Sequence, residues 1–159
     1  MSSWTRLTSM SLVFVLLAIA SNVRADRGDK SVRGGATTIV TGGTGAPSFV
    51  PVKTTLAFNA RNGTGRFECL AVAPSASAGT PGSGNFDTNV MYVTGQITSV
   101  EIQGTTATLK GIATVTGVGA GVDVPFTAVS ETGGPGTRFV LEISGLTFDE
   151  ILLDGEIRF

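Results

Sequence analysis

Between Asn89 and Ser144 the chain alternates apolar and polar residues in four runs, each rich in β-branched side chains and each ended by a Gly-containing break. Side chains of a strand point alternately to the two faces of its sheet, so a period of two specifies strands. The runs are Asn89–Gln103, Thr106–Thr116, Val124–Ser130 and Arg138–Ser144, and the short breaks between them predict an antiparallel meander. In the first run Met91, Val93 and Ile97 share one phase, whereas Val100 and Ile102 share the other. A pleated strand changes phase only through a bulge or bend, which the pattern places near Thr98–Ser99. Gly104-Thr105 then turns the chain. Ala107, Leu109, Ala113 and Val115 form the next inward face, with Thr106, Thr108, Lys110, Thr114 and Thr116 outward. Gly111, in mid-strand, marks a coil of the sheet or a close packing contact. Phe126 and Ala128, and after the Thr132–Gly136 turn Phe139, Leu141 and Ile143, complete the inward set.

The flanking sequence adds strands to this sheet. Lys53–Ala60 turns Leu56, Phe58 and Ala60 inward, and Asn62-Gly63 is a strong hairpin signal leading into Arg66–Val72. Ala73–Asn85 has no apolar periodicity and reads as an exposed loop, the first place to look for a loop-borne binding feature. Residues 26–46 are Gly, Ser, Thr and charge around a strand-like island at Thr37–Val40 and read as a flexible N-terminal arm. Pro47 and Pro51 bracket Ser48–Val50 as an extended edge segment. The tail from Leu146 to Phe159 reads as a short segment, an Asp154-Gly155 turn and a final strand with Ile157 and Phe159 inward. The expectation is one all-β domain over residues 47–159, an antiparallel β-sandwich or flattened barrel of about eight strands.

Residues 1–25 read as a processing segment. Arg6 supplies a basic start, Ser11–Ala20 an apolar stretch too short to span a bilayer, and Val23-Arg24-Ala25 a peptidase site. Cleavage is expected after Ala25, with Ala20 as the alternative, giving a secreted or periplasmic chain of 134 of the 159 residues with no membrane span. Two of the 11 basic residues leave with the leader, so nine face 12 acidic ones, a net charge of −3. That mild acidity argues against a nucleic-acid binder, which needs a basic face. All 22 glycines remain, favouring strands and tight turns.

The chain contains no His. Ser-His-Asp and Cys-His catalysis and the commonest transition-metal ligand are therefore absent. Cys69 stands alone, so no internal disulfide forms. It shares a phase with Phe67 and Ala71 and reads as a core residue, the alternative being a reactive or intermolecular thiol. A carboxylate pair of the glycosidase kind is the remaining catalytic option. Its candidates, Glu101, Glu131 and Glu142, fall at outward positions or strand ends, and Tyr92 is the only Tyr of the chain. Asp149, Glu150, Asp154 and Glu156 form an acidic patch with a weak claim on Ca²⁺, because nothing in their spacing makes the oxygens converge.

Short motifs have simpler readings. Arg27-Gly28-Asp29 matches an adhesion tripeptide by chance. Gly42–Gly45 lacks the Lys and helix of a phosphate loop, and Gly117–Asp123 is a single copy of a calcium repeat that works only in stacks. Asn62-Gly63-Thr64 is also a glycosylation sequon, although the turn explains it. No catalytic, cofactor-binding or metal-binding residue is assigned.

Thr106–Gly117, Pro125–Val129, Gly133–Gly136, Phe139–Gly145, Leu56–Ala60 and Gly65–Glu68 together resemble the secreted bacterial post-COAP-type β domains. The resemblance covers about two thirds of the mature chain and implies an extracytoplasmic all-β domain with no catalytic residues to carry over. The Ala73–Asn85 loop and Cys69 depart from that pattern. The leading functional expectation is an exported, non-catalytic interaction or structural module with an extracytoplasmic protein or surface partner. The alternative is a small barrel binding an apolar ligand in a cavity left by its many inward Ala and Gly; a carboxylate enzyme ranks third.

Overall fold

A computed structural model of the chain describes residues 31–46, 51–75 and 85–159. The expected leader, the Arg27-Gly28-Asp29 tripeptide, the Ser48–Val50 segment and most of the Ala73–Asn85 loop lie outside the described residues. Eight strands follow one another: β1 (Ser31–Gly42), β2 (Lys53–Arg61), β3 (Thr64–Pro74), β4 (Phe86–Gln103), β5 (Thr106–Gly117), β6 (Gly121–Glu131), β7 (Arg138–Ile143) and β8 (Leu146–Arg158). Each pairs antiparallel with its neighbours in sequence, and β8 pairs back onto β1, closing an up-and-down barrel. Closure resolves the choice between sandwich and barrel, and it leaves no sheet edge over the paired lengths.

The meander follows its sequence pattern closely. The Asn62-Gly63 turn joins β2 to β3, with both residues at positive φ (53° and 86°), the combination a two-residue hairpin of matching twist requires. The phase change in β4 is a register shift against β5 between Ile97 and Ser99. Beyond it, Val100 and Ile102 are half-buried and pack against the margin of the core.

Two expectations require correction. Ser31–Gly42 is strand β1, paired on both sides, so from residue 31 the chain is barrel wall instead of flexible arm. Its composition hides this because two of its inner positions are Gly34 and Thr38, which give no apolar alternation to read. The second is Asp154-Gly155, which is no hairpin. β8 runs unbroken from Leu146 to Arg158, and the register against β1 shifts by one residue between Leu152 and Asp154. Gly155 has φ of 96°, and a Cβ there would fall 2.1 Å from the Gly35 carbonyl oxygen, so this kinked site admits only glycine.

An eight-stranded barrel is just wide enough inside for side chains to fill it. Here Phe58, Phe67, Phe126 and Phe139 fill its middle. Phe67 stacks on Phe126 with ring centroids 5.0 Å apart, and on Phe58 and Phe139 at 6.4 Å each. Three wall glycines make room for them. A Cβ at Gly34 would lie 2.6 Å from the Phe58 ring, and Cβ atoms at Gly111 and Gly95 would lie 2.6 and 2.9 Å from the Phe126 ring. At Gly111 it would also meet the Gln96 carbonyl oxygen at 2.0 Å, so the close packing contact is the correct reading of that glycine. Leu56, Ile97, Leu109, Leu141, Ile143, Leu152 and Ile157 are buried in the same core.

Cys69 is buried in this core, and burial raises its thiol pKa, with the charges of Glu150 and Glu68 adding to the rise. A thiolate is therefore scarce at neutral pH. Thiol-reagent labelling of the native protein is expected to proceed only at the rate of unfolding; stoichiometric labelling within minutes under native conditions would show that the core is open.

Candidate functional site

Two regions depart from a plain filled barrel. The first is a polar cluster inside it. On β8, Phe148, Glu150 and Leu152 all point inward, and Glu150 is only 2% exposed. The pairing of β8 with β1 and of β1 with β2 brings Thr38 and Thr54 beside it, both fully buried. The Thr38 hydroxyl donates to Glu150 Oε2 and also lies 3.3 Å from the Thr54 carbonyl oxygen. With a single proton it serves one acceptor at a time. When Glu150 is neutral, the carboxylic O–H donates to Thr38, which turns its own proton to the Thr54 carbonyl. When Glu150 is ionised, Thr38 donates to it instead.

Burial pushes the Glu150 carboxyl up to about 7; Thr38 and Thr54 pull the other way, and repulsion from Asp149 adds a little upward. Among the described residues Thr54 Oγ1 has no partner of hydrogen-bonding geometry, so its influence on the carboxyl is that of a nearby dipole. The layer is completed by Phe139, directly across from Glu150 on β7, and by Cys69 on β3, whose thiol feels the Glu150 charge. No cationic side chain is among these neighbours.

The second region is the outer wall where β8, β1, β2, β3 and β4 run side by side. Direct cross-strand partners point to the same face. The register pairs Arg158 with Arg33, Arg33 with Asn59, Asn59 with Arg66, and Arg66 with Gln96, and all five are exposed. Two open grooves lie along this row. One, of about 510 Å³, is lined by Arg33, Asn59, Arg61, Arg158 and Phe159 among others. The other, of about 890 Å³, continues from Asn59 past Arg66, Glu68, Thr94 and Gln96 to Ile112 and Thr114. Arg158 is paired with Glu156, whose carboxyl is held below its usual range by that bond first and by the Arg33 charge last. Tyr92 donates to Glu68 at 2.5 Å beside the second groove.

The carboxylates singled out from the sequence are not brought together. Glu101, Glu131 and Glu142 are exposed on the outer wall, on β4, β6 and β7. Glu101 accepts from Gln103 Nε2 at 2.6 Å, and Glu142 borders a groove with Lys110 and Thr127. The acidic patch of the tail is divided by the strand that carries it. Asp149 points outward into a two-pronged bond with Arg138 (2.7 and 2.8 Å), Glu150 points inward, and Glu156 pairs with Arg158. Among the described residues no group of three His, Cys, Asp or Glu is arranged to hold a metal ion. No helix among them is long and apolar enough to cross a membrane.

Reading the tail as two segments concealed Glu150. The signal that finds it is the alternation Phe148, Glu150, Leu152, which places a carboxylate at an inward position once β8 is one strand. The arginine row was beyond reach of the sequence, because it depends on the register of five strands.

Comparison with family models, with curated proteins and with solved structures finds no match. The functional reading rests on the barrel itself.

Proposed function

We propose that the chain is an exported, non-catalytic β domain that acts as an interaction or structural module through its outer wall. The observation that carries this reading is the interior: four stacked Phe rings occupy it, and three of the inward glycines, Gly34, Gly95 and Gly111, are positions that the Phe58 and Phe126 rings press against. A barrel that carries an apolar ligand keeps open space at its centre. With the interior given to packing, recognition falls to the surface, where the grooves are. Export belongs to the proposal through the leader-like residues 1–25, and so does kinship with the post-COAP-type domains.

Native mass spectrometry of the mature protein from its host's exported fraction tests the reading. No apolar ligand is expected. A discrete, solvent-extractable apolar mass released on denaturation would put the ligand-carrying barrel in its place. Reproducible hydrolysis by the pure protein would overturn the non-catalytic part.

A further inference from the structure

We infer that the arginine row on the outer wall is a binding track for a carboxylated polysaccharide, an inference that rests on the interaction-module reading and names its partner. Of the seven basic residues among the described ones (Arg33, Lys53, Arg61, Arg66, Lys110, Arg138, Arg158), four lie along two adjoining grooves on one part of the wall. A chain with net negative charge has thus gathered most of its described positive charge in one place. Nothing in the folding of the barrel demands this, since on β5 four of the six outward positions are Thr.

The order of side chains along the row identifies the ligand class. From β8 to β4 it runs Arg158, Arg33, Asn59, Arg66, Gln96, one residue per strand. Neighbouring strands lie about 4.8 Å apart, so the row is about 19 Å long at the backbone and curves with the barrel wall, crossing five of its eight strands. A pyranose unit of an extended glycan advances by about the width of one strand, so a glycan that follows the curve of the wall presents about one sugar to each side chain of the row. Guanidinium groups bind carboxylates through paired N–H donors. The Asn59 and Gln96 amides each offer a donor and an acceptor, the pair that a sugar hydroxyl uses. Cations interleaved with amides therefore match a polymer bearing both carboxylates and hydroxyls. Thr94 and Thr114 extend the hydroxyl-binding character into the second groove, and half-buried Phe159 offers the first groove an apolar face for a sugar ring.

The acidic residues bordering the track are Glu156, committed to Arg158, with Glu68 and Asp123 along the second groove. Arg33 and Arg66 have no ion-pair partner among the described residues, which makes them the principal carboxylate contacts. Other polyanions fit less well. A single-stranded nucleic acid calls for a series of aromatic stacking platforms, whereas among the described residues the track offers only half-buried Phe159 at one groove and Tyr92, tied to Glu68, beside the other. A lipid surface calls for a protruding face, whereas these arginines line recesses.

The test is a titration of the ¹⁵N-labelled mature protein with oligogalacturonate of about six units, followed by NMR. Saturable shifts are expected at Arg33, Asn59, Arg66 and Gln96, weakening as salt is raised. The Arg33→Gln/Arg66→Gln variant is expected to bind about tenfold or more weakly, with an unchanged melting temperature because both side chains are exposed. A neutral cello-oligosaccharide of equal length is expected to cause no shifts. Unshifted resonances along the row, equal binding of the neutral oligomer, or tighter binding to phosphatidylglycerol vesicles or oligothymidylate would each overturn the inference. These failures leave the native mass free of apolar ligand, whereas failure of the module reading shows itself as an apolar mass in that spectrum.

Discussion

Raising the pH from 5 to 8 is expected to remove about 2–3 kcal/mol of folding stability, and Glu150→Gln is expected to abolish most of that loss. The Glu150 carboxyl is raised from 4.5 to about 7 in the fold, chiefly by burial. Between those values the folded chain holds a proton that the unfolded chain has released. Stability therefore falls as pH rises, by about 1.4 kcal/mol per unit, until the folded carboxyl also ionises and the curve flattens. Groups with depressed values, Asp149 beside Arg138 and Glu156 beside Arg158, act in the opposite sense and below this window: the stability they add is lost as pH falls through the acid range. The window is unusually clean because the chain has no His. Urea unfolding at unit steps of pH, on the wild type and on Glu150→Gln, measures the effect directly. Parallel stability curves for the two proteins would show that Glu150 is solvated or paired and does not occupy the barrel interior.

The largest loss from a single substitution is expected at Phe67. Phe67→Ala removes a ring that stacks on three others and is 2% exposed, and the closed wall around it has little freedom to collapse into the space. Large-to-small changes of this kind cost about 3–5 kcal/mol, against a total of about 5–15 kcal/mol for a typical domain. Gly111→Ala reaches the same packing from the wall. Its new methyl group meets a backbone carbonyl oxygen and the Phe126 ring, for an expected cost of about 1–3 kcal/mol from overpacking. Val122→Ala, at a site 74% exposed, is the control and is expected to stay within about 0.5 kcal/mol of wild type. Denaturant midpoints read all three. A Phe67→Ala protein as stable as the control would mean that the rings do not form the core.

Most of the wall was legible because its information is local. The Asn62-Gly63 turn, the phase change at Thr98–Ser99 and the inward sets of β2, β3, β5 and β7 follow from period-two patterning and turn chemistry, and the structure reproduces them. Where patterning failed, the residue responsible is identifiable. β1 was obscured because Gly34 faces inward to make room for the Phe58 ring, a reason that lies on another strand. β8 was divided because Asp154-Gly155 has the composition of a hairpin, whereas closure onto β1 turns it into a bulge. Glu150 was grouped with the acidic residues around it in sequence, although its neighbours in space are Thr38 and Thr54. The arginine row combines residues 33 to 158, and no local signal encodes it.

The proposal that recognition belongs to the outer wall requires the barrel interior to be packed core. Crystallography under xenon pressure tests it most directly, because xenon enters apolar cavities that water leaves empty. No xenon is expected within the ring of Phe58, Phe67, Phe126 and Phe139. An ordered xenon atom there, or elongated density threading between the rings, would contradict it and return the protein to the ligand-carrying barrels.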